Sequence, residues 1–212
     1  MDLIFPRDMI NGHKWKDVTF NLVERQEVSR QASGRTQSRD LGPAIWVAQF
    51  KTISMRLFEA RSVMASMRTL CGSNRSFFAF DPAARFPMGL TSAATLNGAA
   101  PQVHGIGTEN STIRISGLPE GTPASPGDYI SIVIAGGGRD FHQIASAGVA
   151  GADGITPELA VVPHLRPQVL TGQAVALVDP CIEAVLVPGS LDDPLTSKQR
   201  RAVTFSAVQV LR

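Results

Sequence analysis

Arg201-Ala202-Val203-Thr204-Phe205-Ser206-Ala207, close to the end of the chain, alternates polar and apolar side chains. A two-residue period marks a half-buried strand, with Val203, Phe205 and Ala207 on one face. The segment 195–212 is too short to fold alone, so this strand must join a sheet built elsewhere in the sequence. Charge points to the same partner. Residues 1–100 carry 13 Lys/Arg against 8 Asp/Glu, residues 101–194 carry 3 Arg against 10 Asp/Glu, and residues 195–212 carry 4 Lys/Arg and no acid. The two ends are alike and the middle is opposite. That pattern is expected if the ends form one domain and the middle is inserted into it; a drift of charge within a single domain is the alternative.

The first hundred residues supply strands for the tail to join. Asp17-Val18-Thr19-Phe20-Asn21-Leu22 alternates, with Val18, Phe20 and Leu22 on one face, and Ala44-Ile45-Trp46-Val47-Ala48-Gln49-Phe50 does the same with Trp46, Ala48 and Phe50. Between them, residues 29–43 are rich in Ser, Gly, Gln and Arg and read as a loop or a protruding hairpin arm. A single convincing helix follows over about 54–71. Ser54 is its expected N-cap and Gly72 its left-handed stop, and Leu57, Ala60, Met64, Met67 and Cys71 form its apolar stripe, with Arg56, Arg61 and Arg68 off that stripe. Then comes Ser76-Phe77-Phe78-Ala79-Phe80-Asp81-Pro82. Neighbouring side chains in a strand point to opposite faces, so Phe77, Phe78 and Phe80 cannot share one core. Either the same chain covers both faces or one face meets another subunit.

Residues 90–111 are small, polar and rich in Gly and Ala, and read as a linker, as does 188–194. Short strands lie between, at 112–116, 129–135, 140–146, 158–162, 174–178 and 182–187, separated by turn signals such as Pro126-Gly127 and Gly136-Gly137-Gly138. The expected fold class is therefore mainly β with one α-helix. Residues 1–100 plus 195–212 make a split β-barrel-like domain, and 101–194 make an inserted small β-barrel or sandwich.

Composition closes several routes. The 212 residues are 43% hydrophobic and 18% charged, enough for a packed core and too apolar for wholesale disorder. No apolar run is long enough for a membrane helix. The opening Met1-Asp2-Leu3-Ile4-Phe5-Pro6-Arg7-Asp8 lacks a basic segment followed by an apolar one, so no secretory signal is expected. Cys71 and Cys181 are far apart with no CxxC, which leaves no disulfide framework or cysteine-rich zinc site.

No constellation points to catalysis or to a cofactor. Gly136-Gly137-Gly138-Arg139 opens onto a strand, whereas a phosphate cradle opens onto a helix N-terminus. His13, His104, His142 and His164 lack metal-ligand spacing, although Asp140 and His142 fall on one face of a strand. A GxSxG nucleophile motif is missing. Arg30, Arg35 and Arg39, with Lys14 and Lys16 nearby, form a basic segment. It could contact an acidic surface of a neighbouring subunit, stay solvated, or bind nucleic acid, though it lacks the aromatic interleaving typical of the last.

Taken in order, these features resemble the distal tail proteins of siphophages and gene transfer agents. The resemblance runs from a strand, through an Arg-rich loop, to the Trp46 strand. It continues through a helix ending at Gly72 and an aromatic strand closing in Asp81-Pro82 and Arg85-Phe86-Pro87-Met88-Gly89. A β-module opening at Gly127-Asp128 and a final strand complete it. It covers the whole chain as architecture and is most specific over 44–89. The resemblance implies a non-enzymatic virion protein, made in the host bacterial cytoplasm and placed at the tail tip. A homo-hexameric ring would join the tail tube protein to the hub protein, with DNA passing through its channel and no membrane binding of its own. Arg30, Arg35, Arg39, Phe77, Phe78 and Phe80 are the expected subunit-interface residues, with no catalytic, metal or cofactor site. Two rivals are a receptor- or glycan-binding role for the inserted module and a tail-associated cell-wall hydrolase. Tyr129 and Phe141 are the module's only aromatics, which weakens the glycan reading.

Overall fold

The computed structural model describes residues 4–211; Met1–Leu3, part of the opening scanned for a signal, and Arg212 lie outside the described residues. In chain order the structure has β1 (Arg7–Asp8), β2 (Trp15–Arg30), β3 (Thr36–Thr52), β4 (Met55–Arg56), α1 (Leu57–Arg68) and β5 (Phe77–Ala79). There follow β6 (Gln102–Ile106), β7 (Thr112–Ser116), β8 (Pro123–Ala124), β9 (Tyr129–Val133), β10 (Arg139–Ile144), β11 (Gly148–Val149), β12 (Leu159–Val162) and β13 (Val175–Ala176). Last come β14 (Ile182–Leu186), β15 (Leu195–Ser197), β16 (Arg200–Arg201) and β17 (Thr204–Gln209).

The protein is mainly β with one α-helix among the described residues, and its first sheet curls into a half-barrel. That sheet runs β1-β5-β14-β17-β3-β2. The tail strand β17 lies inside it, antiparallel to β14 on one side and to β3 on the other. Its alternation sets its orientation: Phe205 and Ala207 are buried, and Thr204 and Ser206 are half-exposed on the opposite face. Just before it, Val203 N–H donates to Thr52 Oγ1 at 2.9 Å, and Thr52 N–H donates to the Val203 carbonyl at 2.9 Å. The second sheet, β13-β9-β10-β12-β7-β6, is drawn from between β5 and β14 in the sequence.

Several expectations need correction. Ile182–Leu186, read as a strand of the middle module, pairs with β5 and β17 and belongs to the first sheet. Its apolar residues Ile182, Ala184 and Leu186 serve that core, and Glu183, on the other face, accepts a 2.5 Å hydrogen bond from Ser76 Oγ. The stretch 90–111 is not simply a linker, because Gln102–Ile106 pairs with β7. The helix begins three residues after the expected Ser54 cap. Met55 and Arg56 are taken up as β4, pairing with β16, and Glu59 instead reaches back to accept the Arg56 N–H at 2.9 Å. Val63 joins Ala60, Met64 and Met67 on the buried stripe, while Cys71 is exposed. The helix ends at Arg68, and the chain turns through Cys71 (φ 51) and Gly72 (φ +69), where Arg75 N–H closes onto the Leu70 carbonyl.

The two sheets pack against each other through aromatic rings. Phe50 and Phe205 stack with centroids 5.0 Å apart, and Phe77 meets Phe205 edge-on at 6.2 Å. From the second sheet, Phe141 meets Trp46 at 5.2 Å and Phe20 at 6.1 Å, and Tyr129 stacks on Phe141 at 5.1 Å. Trp46 Nε1–H donates to the Phe141 carbonyl at 3.0 Å, giving this buried indole the polar partner it requires. Around the junction, Arg85 pairs with Asp179, and Asp128 accepts the Met88 and Ser125 N–H groups.

Candidate functional site

The β2–β3 hairpin is paired from Trp15↔Thr52 out to Arg30↔Thr36. Its inner half packs on the core through Val18, Phe20, Leu22, Trp46, Ala48 and Phe50. Past irregularities in register between Val23 and Gln26 the ribbon leaves the body. Residues 24–41 are all exposed, and the 24–30 strand alone reaches about 20 Å. Residues 29–43 are thus a hairpin arm, longer than its composition alone suggested. The tip is closed by Gly34 N–H to the Gln31 carbonyl and Gln31 N–H to the Arg35 carbonyl, both 2.9 Å, with Gly34 at φ +82.

On the arm, register fixes which side each group occupies. Arg30 lies opposite Thr36, and Arg39 opposite Glu27, an odd number of residues away along the strand, so Arg30 and Arg39 project to opposite faces. Arg35 sits in the tip. The arm therefore offers cations on both faces and at its end, interleaved with Glu24, Glu27 and Asp40. None of the three guanidiniums has an ion-pair partner among the described residues. Val28 and Leu41 are exposed beside them. Lys14 and Lys16, grouped with these arginines in the sequence, lie at the far end of the hairpin.

The phenylalanines behave differently. Phe77 and Phe80 are buried in the first core, and Phe78 is half-buried with the Arg139 guanidinium 5.4 Å from its ring centroid. β14 pairs along the edge of that strand, Phe77 faces the first core, and Arg139 of the second sheet partly covers Phe78 on the opposite face. Phe77 and Phe80, expected at a subunit interface, are buried in the protein's own core.

A groove that sequence reasoning missed lies beside α1. The 195–201 hairpin is clamped to the start of the helix: Arg200 Nη2 donates to the Ser54 carbonyl at 3.0 Å, Leu57 N–H to the Gln199 carbonyl at 3.2 Å, and the Ser54 and Thr196 hydroxyls meet at 2.6 Å. Two depressions of about 510 and 800 Å³ flank this clamp and meet at Phe58 and Arg200. Phe58 is 65% exposed. Lys14, Arg56, Arg61, Lys198 and Arg200 line the depressions, with Glu59 as their one carboxylate. The sequence signal was an aromatic off the helix's apolar stripe, between two arginines.

The second sheet holds a buried charge cluster. Arg166 Nε donates to Asp140 Oδ1 at 2.8 Å, and His142 Nε2 lies 3.2 Å from Asp140 Oδ2. His142 Nδ1 lies 2.8 Å from the Pro163 carbonyl, a geometry in which it donates. Burial pushes the Asp140 carboxyl up, but the hydrogen bond and charge of His142 and the Arg166 guanidinium outweigh it and hold the carboxyl below its usual range. The cluster pins the segment after β12 to β10, a structural task. Among the described residues there is no grouping of three or more His, Cys, Asp or Glu that could hold a metal ion, and no helix is long and apolar enough to cross a membrane.

No protein-family model matches the chain, and a search of curated proteins finds no match.

Proposed function

We propose that this chain is a structural virion protein of the distal tail class, acting without catalysis. Its copies form a ring, a homo-hexamer by the resemblance of its architecture, that joins the tail tube to the tip hub and leaves a central channel for DNA. The observation that supports this best is the arm. A ribbon of about 20 Å that contributes nothing to its own core, with three guanidiniums that have no ion-pair partner among the described residues, is suited to lie on a neighbouring subunit. The half-barrel that carries it supplies a rigid base. A glycan-binding role for the second module would need open ring faces, and Phe141 is buried with Tyr129 stacked on it.

Electron microscopy of the purified protein, together with gold-labelled antibody on intact particles, tests this reading. Rings in the first and label at the tail tip in the second are the expected results. Label on the capsid or shaft, or a copy number too low to close a ring, overturns the proposal.

A further inference from the structure

The α1 groove is a second feature that its own chain leaves uncovered, separate from the arm. Its composition specifies an occupant. Five cations against one carboxylate around an exposed phenylalanine call for an acidic surface carrying an apolar side chain.

The chain itself presents such a surface on two loops of the second module. Glu120 and Asp153 stand on adjacent loops, joined by Leu118 N–H to the Gly154 carbonyl at 3.2 Å and Gly121 N–H to the Ala150 carbonyl at 3.0 Å. Both are exposed, and neither forms an ion pair among the described residues. Val149 in β11, paired with Pro123, is 57% exposed on the same part of the module. Of the other middle-segment acids, Asp128, Asp140, Asp179, Glu183 and Asp193 are engaged within the chain, and Glu109, Glu158 and Asp192 are exposed on other segments.

We propose that the Phe58 groove of one copy receives the Glu120–Asp153 loops of another copy, with Phe58 against Val149 and the groove cations against the carboxylates. Because the two surfaces differ, the contact is head-to-tail. Repetition of such a contact closes a ring or extends a filament. The proposal rests on the reading that the chain self-associates, and it names a contact distinct from the arm.

The test uses two variants of the full chain changed only at exposed positions. One reverses the groove (Lys14→Glu, Arg61→Glu and Lys198→Glu, leaving two cations against four carboxylates), and the other reverses the module loops (Glu120→Lys with Asp153→Lys). Sedimentation equilibrium across protein concentration reads the association, and thermal melts check that each variant is folded. Each variant alone is expected to associate about tenfold or more weakly than the native chain. An equimolar mixture should recover association, since each reversed surface then finds its complement. Phe58→Ser gives an independent uncharged check and should weaken association while leaving the melt unchanged. Native-strength association of either reversed variant, or a mixture no stronger than its parts, overturns the proposal. So does a native chain that remains monomeric at every concentration and instead holds a labelled oligonucleotide through Arg61 and Lys198. A chain lacking the arm separates the two ideas. If it still associates and the groove variants do not, the groove contact stands without the arm. If the reverse holds, the groove contact fails while the ring reading survives.

Discussion

Phe205 is the side chain on which the first sheet's closure depends. It stacks on Phe50, meets Phe77 and Trp15, and is buried on a strand flanked on both sides. Phe205→Asp would bury an unpaired charge and is expected to destabilise the protein by about 3 kcal/mol or more, read by urea unfolding. A loss below about 1 kcal/mol would mean that β17 is not where the core is sealed. Asp140 gives a pH-dependent counterpart. Its carboxyl is held below its ordinary value of 3.8, so its stabilising contribution is complete above that value and disappears as pH falls through the lower folded value. Unfolding free energy should therefore fall below about pH 4, and Asp140→Asn should remove that share of the acid sensitivity. The variant should also cost about 3 kcal/mol at neutral pH, because Arg166 and His142 lose the carboxylate between them. An acid limb unchanged in the variant would assign the sensitivity elsewhere. Spacing alone placed Asp140 and His142 on one face. Arg166 joins them from a distant turn, and nothing in local sequence announces that.

Elements with a strict period were the most legible. Val18, Phe20 and Leu22, then Trp46, Ala48 and Phe50, face the core as their alternation requires, and β7 occupies the expected residues 112–116. Elements whose fate depends on a distant partner were not. Ile182–Leu186 reads like any other short strand of the middle segment, and only its pairing with β5 and β17 assigns it to the first sheet. The Phe77–Phe80 run left two readings open; Phe77 and Phe80 turn into the protein's own core, and Phe78 is half-buried under Arg139. Ser54 has the right chemistry for a helix cap, but pairing of Met55 and Arg56 with β16 delays the helix. The arm was legible because its composition could not build a core; its length was not, since exposed Val28 and Leu41 look like core residues in sequence. Replacing residues 24–44 by an Asn-Gly turn across the Val23↔Ile45 pair should leave the melting temperature within a few degrees, because that segment includes little of the core. The same variant should fail to form rings. A large drop in melting temperature would show that the ribbon supports its own body.

At the scale of the whole molecule, the charge asymmetry that suggested an insertion has mixed origins. Half of the ten middle-segment acids hold structure together internally, and the remainder stay exposed. The insertion is topological rather than physical isolation: Phe141 and Tyr129 pack on Trp46 and Phe20, so the second module, which has a core of its own, also contributes to the first. Thermal unfolding is therefore expected as one cooperative transition by both near-ultraviolet circular dichroism and tryptophan fluorescence. Two separated transitions would show that the aromatic junction couples the modules weakly.

The placement of β17 also sets an order of events at the ribosome. Until residues 204–209 emerge, the first sheet exists only as two unconnected parts, β1-β5-β14 and β3-β2, with their core sides unsealed. Every strand of the second sheet has left the exit tunnel by then. The module between the halves can fold first and hold β5 and β14 close together, leaving a slot between β14 and β3. β17, which follows every other strand of the first sheet, then enters that slot, so a nascent chain with only the residues before 204 outside the tunnel would carry a finished second sheet beside an open first one.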